Sequence, residues 1–392
     1  MKSSDILKIF IGLLLVIFVT VYFVGKQNKV PKIMLFQPEG QMLDQATLAN
    51  KAVTESSGKV VKEDNPINKT PAPYLYSSSI CQGGASYVCL ASYYKSLVSN
   101  YGASKAVEDL KRRSGENGGV LGMCHPLVHV IGREAAQSYA NVWEAFQHGD
   151  AFCWSGYYHG VLEGVVAKVS LKNLPEQLDN ICKDIPGKEK YNFDYYNCVH
   201  GLGHGIMAQL RDEVFDSLTM CDNLTGFWEH QSCYSGVYMQ NIIDSTNVAD
   251  TDNVVKYLKP SEPLYPCTAV DTKYKSQCYL GQTSYALQVS GYDFAKVFNL
   301  CSGVEQPYRD ICNQSMGRDV ANQMMHDAIL TRDKCAIPKD PNDVTNCVIG
   351  AVKEIISYYH SDKQALDFCS ILDESNKNIC VSTASAYYSY FQ

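Results

Sequence analysis

The chain has little tryptophan (3 residues) and few charges (19%), and its charge is not basic: 34 Lys plus Arg stand against 41 Asp plus Glu, a formal net of -7. Phosphate neutralisation needs a basic face, so nucleic acid is not the expected partner. There is no phosphate-binding glycine loop, dinucleotide fingerprint, nucleophile elbow or CxxCH haem-attachment site. No two cysteines are spaced CxxC, which removes the commonest zinc and thiol-redox signatures. Beyond Val24 no apolar run is long enough to span a bilayer, which argues against a polytopic transporter. The hydrophobic fraction, 46%, is too high for general disorder.

What the chain does have is 16 Cys and 27 Tyr in 392 residues. Regularly spaced cysteines in this number suit an oxidising compartment. The N-terminus supplies a route there. Ile9–Val24 reads IFIGLLLVIFVTVYFV without a charge, and it ends in bulky residues instead of a small-residue cleavage site. Residues 1–25 are therefore expected to form an uncleaved signal anchor, one transmembrane helix with Lys8 snorkelling to the interface. Lysines flank the run on both sides, so charge alone does not orient it. The cysteines place the C-terminal body on the extracytoplasmic side. Residues 26–78 are polar, irregular and proline-bearing, as in a flexible tether.

Residues 79–392 read as an all-α, disulfide-braced repeat domain. Each of Cys267, Cys301, Cys335 and Cys369 has ten or eleven residues between it and a second cysteine, and these four recur every 34 residues. This is the length of a two-helix hairpin. The first Cys closes helix A, with Leu218, Phe298 and Leu366 three residues earlier on the same face. The second Cys opens helix B. Three residues later comes a small residue (Gly156, Gly201, Gly236, Gly281, Ser315, Gly350, Thr383) that lets another backbone come close. The expected bridges are 182–198, 221–233, 267–278, 301–312, 335–347 and 369–380, with 124–153 joining adjacent units and 81–89 near the N-terminal cap. A short-loop disulfide contributes about 2–3 kcal/mol, and stacking must supply the rest of the core. The stack could be an open α/α solenoid or a closed α/α ring. Tyr157, Tyr158, Tyr238 and Tyr285 are expected to pack.

Six of nine histidines lie between His125 and His204. Three successive B helices each carry a pair at i, i+4: His125/His129, His159/Glu163 and His200/His204. One helical turn puts both members of a pair on one face. His159 and His204 both stand six residues after their unit's cysteine, where later units carry Met239, Ser284, Arg318, Lys353 and Ala386. The scaffold therefore does not require histidine there. These six residues are the expected metal ligands. An imidazole-rich set with one carboxylate and no thiolate suits Zn, Fe, Cu or Mn. Glu134, His148, Asp150, Glu229 and His230 are more distant candidates for supporting roles. The expected function is a membrane-anchored extracytoplasmic metalloprotein, with metal-dependent hydrolysis or redox chemistry both open. The alternatives are a non-enzymatic scaffold binding a small molecule, protein or glycan on a concave face, and a metal-free polysaccharide-processing α/α enzyme, which lacks the Arg/Asn pattern of a uronate site.

Overall fold

Short capped segments alternate with long apolar-faced ones, and this alternation builds the body. The computed structural model describes residues 81, 86–246 and 256–389. The expected anchor and tether lie outside the described residues, and no described helix is long and apolar enough to cross a membrane. The described residues form seventeen α-helices and no strand. They are α1 (Tyr87–Tyr101), α2 (Ala103–Glu116), α3 (Gly118–Leu121), α4 (Cys124–Ser138), α5 (Val142–Phe146), α6 (Gly156–Val166), α7 (Leu174–Ile181), α8 (Phe193–Gln209) and α9 (Val214–Cys221), followed by α10 (Phe227–Thr246), α11 (Thr272–Val289), α12 (Phe294–Ser302), α13 (Tyr308–Gln323), α14 (Ala328–Cys335), α15 (Pro341–Tyr359), α16 (Lys363–Ser370) and α17 (Glu374–Tyr388).

The later units show why these segments start where they do. Asp293, Asp327, Asp340 and Asp373 each accept a backbone N–H at the head of α12, α14, α15 and α17. Each such cap is worth about 1 kcal/mol. Pro341 occupies the first position of α15, where its missing N–H costs nothing. The long helices α4, α6, α8, α10, α11, α13, α15 and α17 pack against one another in chain order, and the short helices pack against them. The interior is rich in tyrosine: Tyr157, Tyr158, Tyr238 and Tyr285 are all buried, and the Tyr157 hydroxyl donates to the Ala145 carbonyl at 2.7 Å.

All eight disulfides join the cysteines that their spacing pairs. No described cysteine is free, and this density of bridges fits an extracytoplasmic or secreted body. Two details of the hairpin differ from expectation. The second cysteine does not open helix B in most units. Cys198 sits five residues inside α8, and Cys347 six residues inside α15. The capped loop residues before it are already helical, so the bridge ties the end of helix A to the second turn of B. Leu366 is 38% exposed, whereas Ala365, Phe368 and Cys369 face the core. Among the described residues no further hairpin stacks on α16 and α17 to cover it.

Helix crossings explain the small residues. A Cβ added at Gly236 would lie 2.0 Å from the His200 carbonyl oxygen, and one at Gly203 would lie 2.2 Å from that of Cys233. Gly132 and Gly160 form the same reciprocal contact between α4 and α6, and Gly317 and Gly350 between α13 and α15. These helices touch backbone to backbone. The close approach brings side chains flanking the crossing from one helix within reach of the next.

Candidate metal centre

The α4–α6–α8 crossings bring all six candidate residues together. His125, His129, His159, Glu163, His200 and His204 are all buried, with His125 the most exposed at 9%. Ring centroids of His159 lie 5.8 Å from His125, 5.5 Å from His129, 4.8 Å from His200 and 4.5 Å from His204. Three overlapping sets, His125/His129/His159, His159/His200/His204 and His129/Glu163/His204, each place their ligand atoms within 4.8 Å of one another. These buried groups could hold a metal ion.

Hydrogen bonds define the chemistry of the four outer rings. Nδ1 of His125 donates to the Cys153 carbonyl at 2.7 Å, and Nδ1 of His129 to Oε1 of Glu163 at 2.6 Å. Nδ1 of His204 donates to Oε1 of Gln240 at 2.7 Å. The Ser235 hydroxyl gives its proton to the Ser232 carbonyl at 2.9 Å, so it accepts from Nδ1 of His200 at 2.7 Å. All four acceptors lie at or beside the start of the following long helix, or on it. With each proton held on Nδ1, the neutral rings have bare Nε2 lone pairs. Yet His125 Nε2 faces His129 Nε2 at 3.0 Å, and His200 Nε2 faces His204 Nε2 at 3.2 Å. Two bare nitrogens at this distance repel unless a proton or a metal cation lies between them. Ligands at ~2.0–2.1 Å from one tetrahedral ion sit about 3.3 Å apart, close to both separations.

At His125, His159, His200 and His204 a proton is a poor substitute for a metal cation. Burial, reinforced by His129, drives the His125 pKa down to about 3, and burial with the neighbouring histidines does the same to His204. Burial also pushes His159 and His200 well below the ordinary range, with adjacent imidazoles adding to it. The one fixed negative charge is Glu163. Burial works to raise its pKa, but the His129 ring and the Arg133 guanidinium outweigh that and hold it at about 2. Its second oxygen accepts from Arg133, so both oxygens are engaged.

The approach to the cluster is shaped by three unusual residues. Cys153, Trp154 and Ser155 all adopt left-handed φ values (53°, 54° and 60°) just before α6. Such residues cost roughly 1–2 kcal/mol each, and this turn aims the Cys153 carbonyl at His125. Trp154, 41% exposed, stands 6.3 Å from the His125 ring. Tyr196, 37% exposed, has its hydroxyl 3.3 Å from His200 Nδ1. Burial raises its pKa, against the Ser235 hydrogen bond and the charge of Arg318 on α13.

The more distant candidates lie elsewhere. Glu134 accepts from Ser99, His148 stacks on Tyr139, Asp150 pairs with Lys111, Glu229 accepts from Tyr195, and His230 bonds the Leu224 carbonyl. The supporting residues that do touch the cluster are Ser235, Gln240, Arg133 and the Cys153 carbonyl. Register, one unit after the histidines they hold, could have singled out Cys153, Ser235 and Gln240, whereas Arg133 stands one turn after His129 on α4 and holds Glu163. No family model, curated protein or solved structure matches the chain, so the arrangement of these side chains carries the functional reading.

Proposed function

We propose that the protein is a membrane-anchored, extracytoplasmic helical-repeat metalloprotein whose metal centre is held by His125, His129, His159, His200 and His204. The carrying observation is the pair of short Nε2–Nε2 contacts between rings whose Nδ1 protons are committed elsewhere. Glu163 and Gln240 serve as orienting acceptors, the usual role of a group bonded to the far nitrogen of a ligating histidine. The tether and N-terminal anchor hold the body outside the bilayer, in keeping with its disulfides.

The hairpins form a curled array in this reading. Its support is contact between units distant in sequence: the Phe193 ring at the head of α8 lies 5.4 Å from His360 at the end of α15. A bound ion would supply Lewis-acid or redox chemistry at the inner face. His125 and Trp154 mark the side from which a small-molecule substrate enters.

Metal analysis of the purified full chain tests this. Wild type is expected to retain Zn, Fe, Cu or Mn, and a chain with His129→Ala and His204→Ala to lose it while keeping its helical circular dichroism. A folded wild type that carries none of these metals, and takes up none when they are added, overturns the reading and leaves a braced scaffold.

A further inference from the structure

We infer that the centre holds two ions, with the ring of His159 between them as a bridge. This rests on the metalloprotein reading and adds a second ion and a distinct role for one residue.

The site is built as two similar halves. His125 and His129 on α4 form one Nε2 pair, and His200 and His204 on α8 form the other. Each pair has the spacing of two nitrogen ligands on one tetrahedral ion. His159 on α6, the helix between, is the one imidazole common to the two all-histidine sets. Its ring stacks on His204 at an interplanar angle of 12°. It also differs from the other four in its hydrogen bonding. The Nδ1 of each outer ring has an acceptor, whereas Nδ1 of His159 is buried with no hydrogen-bond partner. The residue is 2% exposed, so bulk solvent does not reach that nitrogen.

Register accounts for the difference. The α4 histidines find their acceptors at Cys153 and Glu163, on or just before α6, and the α8 histidines find theirs at Ser235 and Gln240 on α10. The helix that follows α6 is α8, and it offers His200 and His204 in place of an acceptor. A buried ring nitrogen left unpaired costs about 1–3 kcal/mol, and a metal ion shared with the α8 pair removes that cost.

The electron count is simple. Neutral imidazole has one lone pair and one N–H. Coordination through both nitrogens releases the N–H proton to solvent and leaves an imidazolate with a lone pair for each ion. The ions then sit ~6 Å apart given bonds of ~2.0–2.1 Å. Each ion has three imidazole nitrogens and an open position for an exogenous ligand. The imidazolate and the nearby Glu163 carboxylate offset part of the added positive charge. The ligand class is a pair of divalent first-row ions, for which imidazole is a suitable donor.

Copper(II) added to the metal-free full chain is the probe, read by metal stoichiometry and by electron paramagnetic resonance near liquid-helium temperature. Wild type is expected to saturate at two ions and to lose most of its integrated signal once both are bound, because spins couple through an imidazolate. His159→Ala should restore the full signal of two isolated ions. Should that variant not fold, His125→Ala serves instead: one ion tightly bound, with undiminished signal. A wild type that saturates at one ion, or binds two with full signal, overturns the bridge while leaving the metal centre standing. A wild type that binds none overturns both.

Discussion

His159 and His204 stand six residues after the cysteine of their units; Ser284, Arg318 and Lys353 stand at the same place in α11, α13 and α15. The crossings beneath are alike, with glycine against backbone at Gly203/Gly236 and again at Gly317/Gly350. What differs is how the side chains at the crossing satisfy one another. In the C-terminal region Arg318 donates to Asp319, Ser284 and the Leu280 carbonyl, and Thr283 and Ser284 donate to Asp319 at 2.6 and 2.8 Å. Lys353 donates to Gln314, which donates in turn to Asn346. Donors and acceptors match, and no cation is called for. In the N-terminal region the four outer rings give their Nδ1 protons to acceptors on the next helix or just before it, and their Nε2 atoms face one another in pairs. The same register therefore yields a closed polar network in one region and a cluster of paired ring nitrogens in the other.

Acid should separate the two regions most strongly. The His125 and His204 pKa values, about 3, lie below the ordinary histidine value near 6.5. Between these limits the unfolded chain binds more protons than the folded one, so their contribution is intact above about pH 6.5 and is lost as pH falls toward 3. Hydrogen exchange on the metal-free protein should show α4, α6 and α8 losing protection between pH 7 and 4 while α13 and α15 keep theirs. Uniform loss would erase the distinction.

Glycine substitutions come next. Gly236→Ala and Gly350→Ala each drive a Cβ into a carbonyl oxygen, at 2.0 and 1.8 Å. Each should cost about 3 kcal/mol in denaturant titrations, the upper range for overpacking. Only Gly236→Ala should also weaken metal binding, because it displaces the helix that carries Ser235 and Gln240. Equal effects on metal from both would mean the crossings act through global stability alone.

Asp319→Ala strands Arg318, Thr283 and Ser284. It should lower stability by about 2–3 kcal/mol, with the arginine's partial exposure limiting the loss. Metal content should not change. Gln240→Ala is the mirror image: thermal stability close to wild type, and metal affinity lower by about 10–100-fold. Unchanged affinity in Gln240→Ala would remove the orienting role assigned to that amide.

Much of this contrast was legible before any coordinates. Cysteine spacing implied six of the disulfides, because short loops leave few partners in reach, and the cysteines left without a partner in their own hairpin implied 124–153 and 81–89. The three i, i+4 pairs in register implied that six side chains converge, and they do. The reciprocal glycines Gly132 and Gly317 went unread, since a glycine inside a helix shows no purpose until its neighbour across the crossing is known. Ser235 and Gln240 were invisible for the same reason: a lone serine and a lone glutamine on the next helix look like ordinary polar residues. Leu366 misled because its spacing from the cysteine matched Leu218 and Phe298, whereas its helix turns Ala365, Phe368 and Cys369 to the core.

X-ray absorption at the edge of whichever metal the full chain retains tests the central claim most directly. The account predicts a nitrogen-dominated first shell at ~2.0–2.1 Å with the outer-shell scattering of imidazole rings. A shell of oxygen or sulfur donors without imidazole scattering would contradict it.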